Sequence, residues 1–167
     1  MKNLLTSLDI IFVIYSNFGE NNLTGIFGTG SVLRTDINLI LQIVMFLIIA
    51  ISLVYKNKMK FKIHGGLMAI AVILNIASLL AVMGPSFSAG YEYFTTATSD
   101  LGVQTIWIHA ILGAIALILG IFLVGAWALR PSKVAACSRR KRIMDVTVLL
   151  WLVSLIFGIA SYIAFYV

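Results

Sequence analysis

The stretch VQTIWIHAILGAIALILGIFLVGAWAL, residues 103–129, runs without one charged side chain. A helix needs about 20 apolar residues to cross a hydrocarbon core of roughly 30 Å. This stretch exceeds that, and only a helix satisfies its own backbone hydrogen bonds where there is no water. Three further runs have the same character: 37–55, 65–83 and 146–167. The chain of 167 residues is 61% hydrophobic and only 11% charged. A soluble domain carries roughly 25% charged residues, so too little polar surface is present to keep a globule in water. The reading is an all-α integral membrane protein, a four-helix transmembrane bundle over 36–167. An N-terminal outward or interfacial segment, 1–35, precedes it.

That first segment reads as amphipathic. Leu4, Leu8, Ile11 and Tyr15 share one helical face, with polar residues beside it, as in a helix lying at the interface. A fifth span is the alternative. A signal peptide fits less well, because Lys2 alone forms the basic start and no small-x-small site follows. Asn22-Leu23-Thr24 is a glycosylation sequon, a three-residue match common by chance.

Ten of the twelve basic residues fall in two connectors. Lys56, Lys58, Lys60 and Lys62 follow the first span. Arg130, Lys133, Arg139, Arg140, Lys141 and Arg142 precede the last. Clusters of this kind suggest nucleic acid, but between apolar helices they are topology signals, since basic loops stay cytoplasmic. The connector between them, 84–102, holds Glu92 and Asp100 and no Lys or Arg. The expectation is a plasma-membrane protein with basic loops cytoplasmic, both termini outside, and no nucleic-acid partner. Gly84-Pro85-Ser86 has turn chemistry and is expected to stop the second helix. Asp36, Asp100 and Asp145 fall at span boundaries, where they are expected to cap helix starts. Cys137 is the single cysteine, which excludes a disulfide within the chain. Among Lys and Arg it reads as an incidental loop thiol. No internal repeat is visible.

Each span carries a seam of small or polar residues at intervals of three and four, which share one helix face. In chain order the seams are Asn38, Gln42, Met45, Ile49 and Ser52; His64, Met68, Ala71, Asn75 and Ser78; His109, Gly113, Ala116 and Gly120; and Thr147, Ser154, Gly158 and Ser161. Small residues let helix backbones approach, and polar ones bond across the interface. The seams are expected to meet inside, with Gly113, Ala116, Gly120, Ser154, Gly158 and Ser161 as packing residues. Gln42, Asn75 and His109 are expected to form a polar cluster in the outer half, with Ser78 part of the polar interior. Intramembrane polar groups are functional candidates by default. The plainer reading is interhelical hydrogen bonding, which suits uncharged Asn and Gln well.

Two cofactors are compatible with these residue types. Haem needs axial ligands, and the chain has two histidines. His64 and His109 fall toward opposite membrane faces and are not expected to clamp one iron, which leaves His109 with Met45 or Met83. Copper(I) accepts imidazole and thioether ligands, again His109, Met45 and Met83. His64 and Met68 form a second pair, at i and i+4. Met is also ordinary apolar filler. No acid falls deep in a span, and there is no serine–histidine motif, phosphate-binding glycine loop or CxxC. The expected state is no cofactor and no catalytic residue.

Over about residues 36–167 the chain resembles the bacterial and archaeal membrane proteins of domain-of-unknown-function family 420, the CtaM/YozB type. The likeness rests on the Lys-rich stretch before His64-Gly-Gly-Leu67-Met68, and on His109-Ala-Ile-Leu112-Gly113. It continues with the basic run followed by Thr147, Trp151-Leu152, Gly158, Tyr162 and Tyr166. The resemblance implies four helices and a part in making functional haem–copper terminal oxidase. Members carry two further histidines, after the second span and before the last. This chain has none at 83–90 or 138–142, and Leu149 stands where a proline is usual. The implied function is a non-enzymatic membrane accessory protein: an assembly factor or small subunit of a membrane oxidase or respiratory complex, with the bilayer and a larger membrane complex as partners. A haem- or copper-binding redox protein using His109 is the alternative, and a small transporter a third reading.

Overall fold

The computed structural model describes residues 25–28, 33–129 and 140–167. The amphipathic stretch 4–18, the sequon at Asn22, and Arg130, Lys133, Cys137 and Arg139 lie outside the described residues. The described residues form helices and turns with no strand. In chain order they are α1 (Leu33–Asn57), α2 (Phe61–Ser78), a π turn (Leu79–Met83), α3 (Gly84–Ala89), α4 (Tyr91–Thr96), α5 (Leu101–Ala128) and α6 (Lys141–Tyr166). Four continuous segments are long and apolar enough to cross a membrane: Leu33–Asn57, Phe61–Ala89, Leu101–Ala128 and Lys141–Tyr166. The chain is therefore an all-α, multi-pass membrane protein built as a four-helix bundle.

The spans exceed the purely apolar runs at most ends because polar residues at the interface continue the same backbone ladder. The second span differs most from expectation. Gly84-Pro85 does not end the helix; α3 continues it through the π turn, with Pro85 in the first turn of α3. Proline has no N–H for the carbonyl four residues back and its ring crowds that carbonyl. Here that carbonyl belongs to Ala81, and the Arg34 guanidinium of α1 donates to it, with a longer bond of 3.4 Å to Val82 O. An arginine from the neighbouring helix thus supplies the donor that Pro85 lacks. The wider π turn accommodates the ring.

The α1–α2 connection is tight. Lys60 N donates to Tyr55 O and Met59 N to Lys56 O, both at 3.0 Å. This pair of bonds is a Schellman closure. Its left-handed position is Met59, φ 58°, where glycine is usual. At the other end, Asp100 caps α5 as expected, accepting from Gly102 N at 2.7 Å and Val103 N at 3.3 Å. Asp36 and Asp145 are not caps. Asp36 is fully buried in the first turn of α1 and accepts from Phe27 N, 3.2 Å, and from Tyr162 OH of α6, 2.6 Å. Asp145, one turn into α6, pairs with Lys56 Nζ at 3.2 Å. Each has a tertiary donor in reach, which displaces the local backbone interaction.

The helices pack as two hairpins. The α5–α6 contact is the most extensive, α1–α2 follows, and the hairpins join through α2 and α5. α1 and α6 touch lightly, tied by Asp36–Tyr162 at one end and Lys56–Asp145 at the other. The core combines Ile49, Met68, Ala71, Val72, Ala116, Leu117 and Trp151 from all four spans. Gly120 leaves the space that Val72 and Trp151 occupy. The Trp127 indole lies directly against Gly65, where any side chain would overlap it. Outward positions are Ile, Leu and Phe, such as Leu80, Ile73 and Ile118, all more than half exposed. Such surface suits lipid contact.

Candidate functional site

The seams face inward. Gln42, Met45, Ile49 and Ser52 are buried on α1, and His64, Met68, Ala71, Asn75 and Ser78 on α2. Ala116 and Gly120 are buried on α5, and Thr147 and Ser154 on α6. Asn38, His109, Gly113, Gly158 and Ser161 are half-buried at the margins. Trp151 is buried in the fourth seam between Thr147 and Ser154, at the same spacing, but as a bulky ring it lies outside the pattern of small and polar residues.

The expected polar cluster divides in two. Gln42 Nε2 donates to Ser78 Oγ at 3.4 Å and approaches Met83 Sδ at 4.0 Å, while Ser78 Oγ donates to Asn38 Oδ1. This group joins α1 to α2 and its π turn. His109 belongs to the other hairpin, and among the described residues its ring bonds to Ser154 of α6. Both Gln42 and His109 lie about 12–14 Å from the helix end by rise, because α1 and α5 start earlier than the apolar runs.

Two histidines are held by one device. His64 Nδ1 meets Ser52 O at 3.0 Å and Ser52 Oγ at 2.7 Å, while Ser52 Oγ donates to His64 O at 3.0 Å. His109 Nδ1 meets Ser154 O at 2.8 Å and Ser154 Oγ at 3.2 Å, while Ser154 Oγ donates to His109 O at 3.0 Å. A carbonyl only accepts, so Nδ1 carries a proton in each ring, and Nε2 is the nitrogen that holds the lone pair in a neutral imidazole. A hydrogen bond from one ring nitrogen to a carbonyl also fixes the tautomer of metal-ligating imidazoles. The His109 ring lies on Gly158, whose missing Cβ would stand 2.9 Å from Nδ1. Gly113 is likewise shaped to Ser154 Oγ, 3.1 Å from its ideal Cβ position. Further along the same pair of helices, Ser161 donates to Thr105 Oγ1 at 2.9 Å.

The two clasps lie far apart along the membrane normal. His64 is in the first turn of α2 at the basic end, whereas His109 is about 28 Å from the basic end of α5 by rise. The two imidazoles therefore do not fit a shared haem iron. Among the described residues no group of three His, Cys, Asp or Glu forms a metal cluster. Met83 is drawn to Gln42, and no hydrogen bond links His109 to Met45 or Met83.

No family model matches the chain, and no curated protein or solved structure matches it either.

At the α3–α4 end an aromatic layer surrounds the bundle mouth. Phe87 meets Trp107 edge to face at 5.3 Å, and Trp107 Nε1 donates to Phe94 O at 3.1 Å. Amphipathic rings prefer this depth. Lys56, Lys58, Lys60 and Lys62 lie at the opposite end with Arg140, Lys141 and Arg142.

Proposed function

We propose that the protein is a non-enzymatic accessory protein, an assembly factor or small subunit of a membrane oxidase or respiratory complex. One observation carries this reading: Gln42 with Ser78, Ser52 with His64, Ser154 with His109 and Ser161 with Thr105 bond side chain to side chain across helices. The interior is thereby organised for helix packing, and the broad apolar outer faces are left for lipid or for the helices of a larger complex. The resemblance to family 420 supplies the oxidase. Basic loops in the cytoplasm and both termini outside is the orientation proposed in the plasma membrane. Purification from native membranes in mild detergent, with the stoichiometry of co-purifying chains measured, tests the reading. A fixed ratio to a larger oxidase supports a subunit and a substoichiometric ratio an assembly factor. Recovery always alone sinks both.

The clasp on His109 favours a second reading, a redox or metal-handling protein. Nδ1–H bonded to the Ser154 carbonyl presents Nε2 as a ligand nitrogen. His109 would supply one ligand, with Met45, Met83 or a partner chain completing the set. A reduced-minus-oxidised absorption spectrum at one haem per chain, lost in His109→Ala and kept in His64→Ala, is its expected result. Retention in both variants overturns it.

A further inference from the structure

The bundle gathers at one end the cations that the sequence distributes over two segments. The 3.2 Å Lys56–Asp145 pair ties the end of α1 to the start of α6. Lys58, Lys60 and Lys62 therefore share one end with Arg140, Lys141 and Arg142. All but Arg140, which lies over the Phe122 ring, are exposed. Asp145 is the one acid among the described residues of this end, and Lys56 already engages it.

Depth adds to charge. α1 has 25 residues, about 37 Å of rise. That exceeds a hydrocarbon core of roughly 30 Å, so the helix ends reach the headgroup layer. α2 and α6 also begin at this end. Neither has a side-chain cap or an acid in its first turn, and both place cations there, beside the positive end of the helix dipole. Within the chain these charges repel one another. Among the described residues of this end no further acid relieves them, and at this depth the abundant anion is the phosphodiester of a lipid.

We propose that this end binds anionic phospholipid headgroups, the phosphodiester oxygens being held by Lys58, Lys60 and Lys62 together with Arg140, Lys141 and Arg142. The site is independent of the accessory role and of which membrane face the basic end occupies.

The test uses the full chain purified in mild detergent. Retention of phosphatidylglycerol is compared with phosphatidylcholine of the same acyl chains by native mass spectrometry. Preferential retention of phosphatidylglycerol is expected, abolished by roughly 0.5 M salt, which shortens screening to a few ångströms. The triple variants K58Q/K60Q/K62Q and R140Q/K141Q/R142Q each lose about fivefold per charge removed. Equal retention of the two lipids overturns the proposal, as does a preference that survives salt. These two arms decide even where a variant fails to fold. Inorganic phosphate that displaces phosphatidylglycerol at millimolar concentration would assign the cations to a soluble anion and overturn the lipid assignment.

Discussion

Ser154 is the most heavily used polar side chain of the α5–α6 interface. Its hydroxyl bonds both the backbone and the ring of His109, and it fills the space left by Gly113. Interhelical hydrogen bonds in membranes average about 0.6 kcal/mol and reach about 1.7, because the unfolded helices find other partners in lipid. Ser154→Ala is expected to cost near the upper figure, since one hydroxyl carries two bonds. Denaturation in mixed micelles measures it. In a double-mutant cycle His109→Ala should couple to Ser154→Ala by about 1 kcal/mol. Additive losses would mean that the 3.2 Å contact between the ring and the hydroxyl contributes nothing beyond packing. Gly158 sets the limit on this site: with the ring 2.9 Å from its Cβ position, a larger residue there must displace the imidazole.

Two elements depart from regular helix geometry, and each has a nameable cause. The second span crosses Pro85 because Arg34 reaches the Ala81 carbonyl. Arg34→Ala removes that donor, and an unsatisfied backbone acceptor costs about 1–3 kcal/mol. Pro85→Ala returns an N–H to the same turn, so the double variant should be milder than Arg34→Ala alone. An equal loss in both backgrounds would show that Arg34 stabilises the protein in some other way. The α1–α2 turn holds Met59 at φ 58°, a conformation that strains an L-residue by about 1–2 kcal/mol. Glycine has no such penalty but loses more entropy on folding. Met59→Gly is expected to raise the thermal midpoint in detergent, with a net gain of about 0.5–1 kcal/mol. A lowered midpoint would mean that the Met59 side chain makes contacts worth more than the strain.

The whole molecule is two hairpins joined along α2 and α5 and tied loosely between α1 and α6. The ties differ in kind. Lys56–Asp145 is partly exposed, with Asp145 54% open, and exposed pairs are worth at most about 1 kcal/mol. Asp36–Tyr162 joins a fully buried carboxylate to a half-buried phenol, and Asp36 also anchors the backbone at Phe27. Sidedness is a property of this scale as well. In a Cys137→Ser background, cysteines at Lys60 and at Thr98 should label from opposite faces of intact cells, Thr98 from outside. Labelling of both from the same face would contradict a four-span bundle.

The four spans were legible in the sequence because lipid imposes a simple demand: about 20 apolar residues with no exposed backbone polar group. The seams were legible for a related reason, since small and polar residues avoid lipid and recur at the helical period, and Gln42, Asn75 and Ser78 lie inside accordingly. The clustering of the cations followed from chain order and an even number of crossings between the two loops. The pairings were not legible. Ser52 finds His64 from twelve residues away and Ser154 finds His109 from forty-five, and a shared helix face says nothing about which residue stands opposite. Helix ends escaped for the same cause. Local chemistry at Gly84-Pro85 reads as a stop, and at Asp36 and Asp145 as caps, but Arg34, Tyr162 and Lys56 arrive from distant helices and satisfy those groups differently. Sequence alone therefore determined what lies in the membrane and which face of each helix turns inward, through solvation. Tertiary structure decided which polar groups meet, because a hydrogen bond depends on the position of both partners.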